Sequence, residues 1–137
     1  MNQRYIPFLA MGILYMSIAC GGIGLAYEHD LSDDYAVWAT DMTEQAAIVK
    51  KNPNSSGAIV AVDPMIIAYG WNDDFIIAKQ HPALDHFDQI NTRITHWFII
   101  QTTTGDVYGP LTEEAYLQTR VELGVPGDLA FTQTIKP

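Results

Sequence analysis

Cysteine is nearly missing from this chain: 137 residues hold a single one, Cys20. An intrachain disulfide is thereby excluded, as are the paired Cys-x-x-Cys motifs of zinc ribbons and thioredoxin-like redox sites. Basic residues are also scarce, seven lysines and arginines against sixteen acidic residues, for a formal net charge of −9. Such a surface repels nucleic acid and anionic lipid head groups, so no nucleic-acid partner is expected and no basic patch draws the chain to a membrane. The P-loop, the dinucleotide fingerprint, the nucleophile elbow and a Cys-His pair are all lacking. The chain is therefore read as a non-enzyme with no catalytic residue and no cofactor.

Charge is absent altogether between Arg4 and Glu28, and Tyr5 to Ala19 has the length and apolarity of a signal h-region. Its end, Ser17-Ile18-Ala19-Cys20, resembles the lipobox of bacterial lipoproteins, with Ser17 where that motif usually has leucine. The resemblance implies that residues 1–19 are removed and that the Cys20 thiol takes a diacylglycerol. Two or three acyl chains, at about 0.8 kcal/mol per buried methylene, make a stable anchor. Two other fates remain open. Gly24-Leu25-Ala26 is a small-residue site for an ordinary signal peptidase, and the uncharged run Tyr5 to Tyr27 is long enough to stay as a membrane helix. The expected location is the bacterial cell envelope, with Gly21 after the cysteine pointing to the outer membrane of a Gram-negative cell.

Residues 20–34, rich in glycine and acid, read as a tether, and residues 35–137 as one domain. Apolar runs of strand length follow one another there: Tyr35 to Ala39, Ala46 to Val49, Ala58 to Val62, Met65 to Tyr69 and Phe75 to Ala78. Turn residues separate them, most clearly Asn52-Pro53-Asn54-Ser55-Ser56-Gly57 and Gly70 to Asp74. Phe75-Ile76-Ile77 and Trp97-Phe98-Ile99-Ile100 are apolar without alternation, which places both strands at the centre of a sheet. Thr112 as N-cap, Glu113 and Glu114 in the first turn and Gly124-Val125-Pro126 at the end bound a helix from Thr112 to Leu123. Its apolar arc holds Tyr116, Leu117, Val121 and Leu123, with Arg120 near the middle. Leu129 to Thr132 reads as an edge strand. The expected fold class is α+β: an antiparallel meander of five to seven strands with the one helix packed on one face.

Asp74-Phe75-Ile76-Ile77-Ala78-Lys79-Gln80, Trp97-Phe98-Ile99-Ile100 and Tyr108-Gly109-Pro110-Leu111-Thr112-Glu113-Glu114-Ala115-Tyr116 resemble the core pattern of a family of small bacterial lipoproteins. The likeness spans mainly Ile59 to Leu123. The family is known only as a domain of unknown function, so it implies a signal peptide, one sheet and one helix, and no activity.

Two groups of residues invite a function. His81, Asp85, His86 and Asp88 stand close together in the long loop His81 to Asn91, where with His96 they have the donor types of a zinc site. The five-residue spacing does not put both imidazoles on one helical face, so no metal site is expected, and a metal-dependent hydrolase on the His81–His86 loop is the alternative reading. His96 is expected at a strand end, facing solvent. Trp71, ringed by Gly70, Asn72, Asp73 and Asp74 in a turn, has the character of a partner anchor, and Phe87 in the histidine loop raises the same question. The leading expectation is a non-catalytic envelope lipoprotein that meets the membrane through lipid on Cys20. It binds a protein partner or the cell wall through Trp71, Asp73, Asp74 and Phe87, in an inhibitor or immunity-type version by masking a basic target.

Overall fold

A computed structural model describes residues 24–84 and 89–136. Cys20, the signal-like segment, Asp85, His86, Phe87 and Asp88 lie outside the described residues. The strands are β1 (Tyr27–Asp30), β2 (Tyr35–Ala39), β3 (Ala47–Lys51), β4 (Ala58–Val62), β5 (Ile66–Trp71), β6 (Phe75–Gln80), β7 (His96–Gln101), β8 (Asp106–Leu111) and β9 (Gln133–Thr134). A 3-10 turn, Thr43–Gln45, precedes β3, and the helix α1 spans Glu113–Leu123.

The α+β class and the antiparallel meander hold, with the strands divided between two sheets. β1-β2-β3-β4 form one and β8-β7-β6-β5-β9 the other. The division falls at Asp63-Pro64-Met65, which carries the chain from the edge of the first sheet to the second. Alternate side chains of the strands enter different apolar clusters. Val37, Ile48 and Val62 of the first sheet meet Tyr69, Ile76 and Ile100 of the second in the main core. The opposite faces of β6 and β7 send Phe75, Ile77 and Ile99 against Tyr116 of α1 and against Val125 and Leu129 beyond it. β6 and β7 are covered on both faces, the physical reason for their unbroken apolar runs.

The helix begins and ends by the local rules. Thr112 Oγ1 accepts from the Ala115 N–H at 3.2 Å, and Gly124 stops the helix in the left-handed conformation at φ 71°. Its buried stripe is narrower than its sequence suggests. Tyr116 is buried, while Leu117 and Val121 are 55% and 82% exposed. Arg120 neither pairs with a carboxylate nor reaches into solvent. Its guanidinium donates to the carbonyls of Pro126 and Leu129 at 2.7 and 2.9 Å and to the Tyr116 hydroxyl at 3.0 Å, holding the segment after the helix in place.

Two segments differ from expectation. Residues 27–30, assigned to the tether, form β1, in register with β2 from Tyr27 opposite Ala39 to Asp30 opposite Ala36. The returning edge strand is Gln133–Thr134 on β5, because Leu129 is taken up by the helix-side core.

Candidate functional site

The two sheets are closed along one side and cleft along the other. On the closed side β1 lies over β5, and Tyr69, fully buried, is the pin. Its hydroxyl meets the Tyr27 hydroxyl at 2.7 Å and the His29 Nδ1, so two residues of the first sheet bond one atom of the second. His29 also meets Trp71 edge-on, with ring centroids 4.9 Å apart. Burial above all, and then the Tyr27 hydroxyl, push the Tyr69 phenol well above its usual range, so it remains neutral.

Trp71, the expected anchor, is the last residue of β5 and is half-buried against His29 and Tyr69. Asp73 and Asp74 are exposed in the β5–β6 turn, where Asn72 Oδ1 accepts from the N–H groups of Asp74 and Phe75 at 3.0 and 2.8 Å. The Asp73 carbonyl accepts from Thr102 Oγ1 at 2.7 Å. This corner is not next to the histidine loop. β5 and β6 run from one to the other, five residue steps or roughly 17 Å. Trp71 and the described parts of the loop, residues 81–84 and 89–91, thus lie apart.

On the other side, a cavity of about 670 Å³ opens between the ends of β4 and β8. Its floor holds Gln80, tyrosines aside the one buried polar residue among those described, at 5% exposure. The Gln80 amide donates to the carbonyls of Asp63 and Pro64 at 3.0 and 2.9 Å, which uses both of its N–H groups. Oε1 is left to face His96 Nδ1, 3.3 Å away. An oxygen without a proton accepts only, so Nδ1 carries the hydrogen, and in the neutral ring Nε2 becomes a free acceptor. None of the described residues hydrogen-bonds that nitrogen. His96 is accordingly a half-buried member of the cavity wall and not a solvent-facing strand end. Asp63 stands exposed at the rim, and Pro64, Phe98 and Val107 supply apolar wall.

The connector beneath the cavity is unusual. Met65 is buried at φ 79°, a left-handed conformation that costs a side-chain-bearing residue of order 1–3 kcal/mol. The two Gln80 bonds, with the His81 N–H donating to the Met65 carbonyl at 3.2 Å, hold it there.

His81 and His96 line different cavities. His81 Nδ1 bonds the Ile94 carbonyl at 2.9 Å, and its ring lines a separate apolar cavity of about 110 Å³ with Ile66, Ile90 and Ile135. His96 lines the larger one. Among the described residues no three histidine, cysteine or acidic side chains stand close enough to hold a metal ion. In the sequence Asp63-Pro64 is only the break between the apolar runs Ala58 to Val62 and Met65 to Tyr69, and Gln80 carries no functional motif. The available signal was a glutamine at the end of a strand that opens with four apolar residues, where a buried polar group needs partners.

A family model described as "Protein of unknown function (DUF3997)" matches residues 32–135. No curated protein and no solved structure matches the chain.

Proposed function

We propose a non-catalytic role for this chain, which belongs to the DUF3997 family of proteins of unknown function and takes no assigned activity from it. In this reading it is a lipoprotein of the bacterial envelope, anchored through Cys20, that binds another protein in the cleft between β4 and β8. The carrying observation is the Gln80–His96 pair, a buried amide in contact with Nδ1 of a histidine that lines a cavity of about 670 Å³, which leaves Nε2 as the ring nitrogen free to accept. A fixed acceptor at the wall of a partly apolar cleft selects for a ligand that brings a hydrogen-bond donor. The lipobox-like Ser17 to Cys20 supports the address, and the formal charge, which moves from −9 to −10 when Arg4 leaves with residues 1–19, supports a basic partner.

The test is site-specific photo-cross-linking in the native cell. A benzophenone amino acid at Val107, on the cleft rim, should give a discrete adduct that His96→Phe abolishes. The same probe at Val121, 82% exposed on the helix, should give none. Equal adducts at both positions, or none at Val107, would remove the cleft from the account.

A further inference from the structure

We propose that the occupant of the cleft is an extended cationic segment of another protein, which adds a fifth strand to the first sheet along β4 and lodges a lysine or arginine side chain in the cavity. The inference rests on the binding role above and names the partner's chemistry. Its first support is a contrast between the four edge strands. An open strand edge invites pairing, and proteins blunt it with charge, proline or brevity. β1 carries Glu28 and Asp30, the latter paired with Lys51 at 3.0 Å. β8 carries Asp106 and Pro110, and β9 is two residues long. β4, Ala58-Ile59-Val60-Ala61-Val62, carries no charge and no proline and is longer than β9; a register shift against β3 leaves Ala61 unpaired, but Ala58 to Val60 run in regular register, and no described strand pairs with the outer side.

Ile59 and Val60 are 73% and 52% exposed and, as neighbours on a strand, point to opposite faces. A segment laid beside β4 covers both, and its main chain meets the free N–H and C=O groups of the edge.

The cavity at the end of β4 then chooses the side chain. It offers the His96 acceptor and the Asp63 carboxylate, and its described lining includes no lysine or arginine. Phe98, Pro64 and Val107 suit a methylene stem, and the two acceptors suit its charged head. A second copy of this chain is a poor occupant, since both molecules carry a net charge of −9 and the same Asp63.

The probe is an eight-residue fluorescein-labelled peptide of alternating valine and arginine, titrated with the full chain in nonionic detergent micelles at about 0.15 M salt and read by fluorescence anisotropy. Saturable binding is expected, at least tenfold weaker for the same peptide with every backbone amide methylated, which keeps the charge but cannot pair. Val60→Lys, at an exposed position that tolerates the change, should weaken binding tenfold, as should Asp63→Asn. Equal affinity for the methylated peptide, equal affinity for a glutamate-for-arginine peptide, or no binding by the parent chain overturns the proposal. A Val107 adduct that persists in cells with Val60→Lys would overturn strand addition while leaving cleft binding intact.

Discussion

Replacing Gln80 by leucine tests the architecture of the cleft directly. Leucine is close in size to glutamine, so no cavity is created and the loss is confined to hydrogen bonding. Two donors disappear from the Asp63 and Pro64 carbonyls, at 3.0 and 2.9 Å, each bond contributing about 1 kcal/mol net. The third contact, to His96 at 3.3 Å, is long and half-exposed and adds little to stability. The expected destabilisation is therefore about 2 kcal/mol, lowering Tm by about 10 °C in a domain of this size. Urea denaturation followed by tryptophan fluorescence measures it, with Trp38, Trp71 and Trp97 all in the described strands. The second readout is chemical. Nitrogen NMR should find the His96 proton on Nδ1 in the parent chain and distributed between both ring nitrogens in the variant. Stability within about 0.5 kcal/mol of the parent, or an unchanged tautomer, would refute the claim that Gln80 orients both the connector and the histidine.

Three further outcomes follow from other parts of the molecule. Gly70→Ala should destabilise by about 3 kcal/mol in the same urea assay, because an added Cβ would lie 1.9 Å from the Ala130 carbonyl oxygen, a backbone atom that moves only if the segment around it shifts. Burial raises the phenols of Tyr35, Tyr69 and Tyr116 above their usual value of 10.0, with Arg120 opposing the rise at Tyr116. Above pH 10 the unfolded chain then sheds protons that the native fold keeps, so stability is level below pH 10 and falls above it. The slope is up to about 1.4 kcal/mol per pH unit per tyrosine. Urea titrations at pH 9, 10 and 11 should show the fall, made shallower by Tyr69→Phe; a flat response would exclude it. Radiolabelled palmitate should enter the chain in cells and fail to enter Cys20→Ala, and labelling unchanged by the substitution would refute the lipid anchor.

The aromatic side of the sandwich explains why Trp71 reads differently in the chain and in the fold. Its neighbours Gly70, Asn72, Asp73 and Asp74 are turn formers, and from them alone an exposed tryptophan is a fair expectation. What draws it inward is His29, forty-two positions earlier in sequence, on a strand that the glycine-rich and acidic composition of residues 20–34 conceals. β1 shows only four residues, Tyr27-Glu28-His29-Asp30, too few for a clear alternation. The pinning of Tyr27 and His29 to Tyr69 is what makes those residues part of the domain.

Elements whose causes are local are legible along the chain. The Thr112 cap and Gly124 stop bounded the helix, asparagine and glycine marked the turns, and unbroken apolar runs identified β6 and β7 as strands buried on both faces. These depend on a residue and its near neighbours, so the chain displays them. Folding sets the split into two sheets at Asp63-Pro64-Met65, the side-chain contacts of β1 with β5, and the meeting of Gln80, His96 and Asp63 around one cavity. Each is a relation between residues about sixteen to forty positions apart, fixed by which strands pair and how two sheets face one another. A polar group's meaning in a core depends on the partner it finds there, and that partner is named only when the chain has folded.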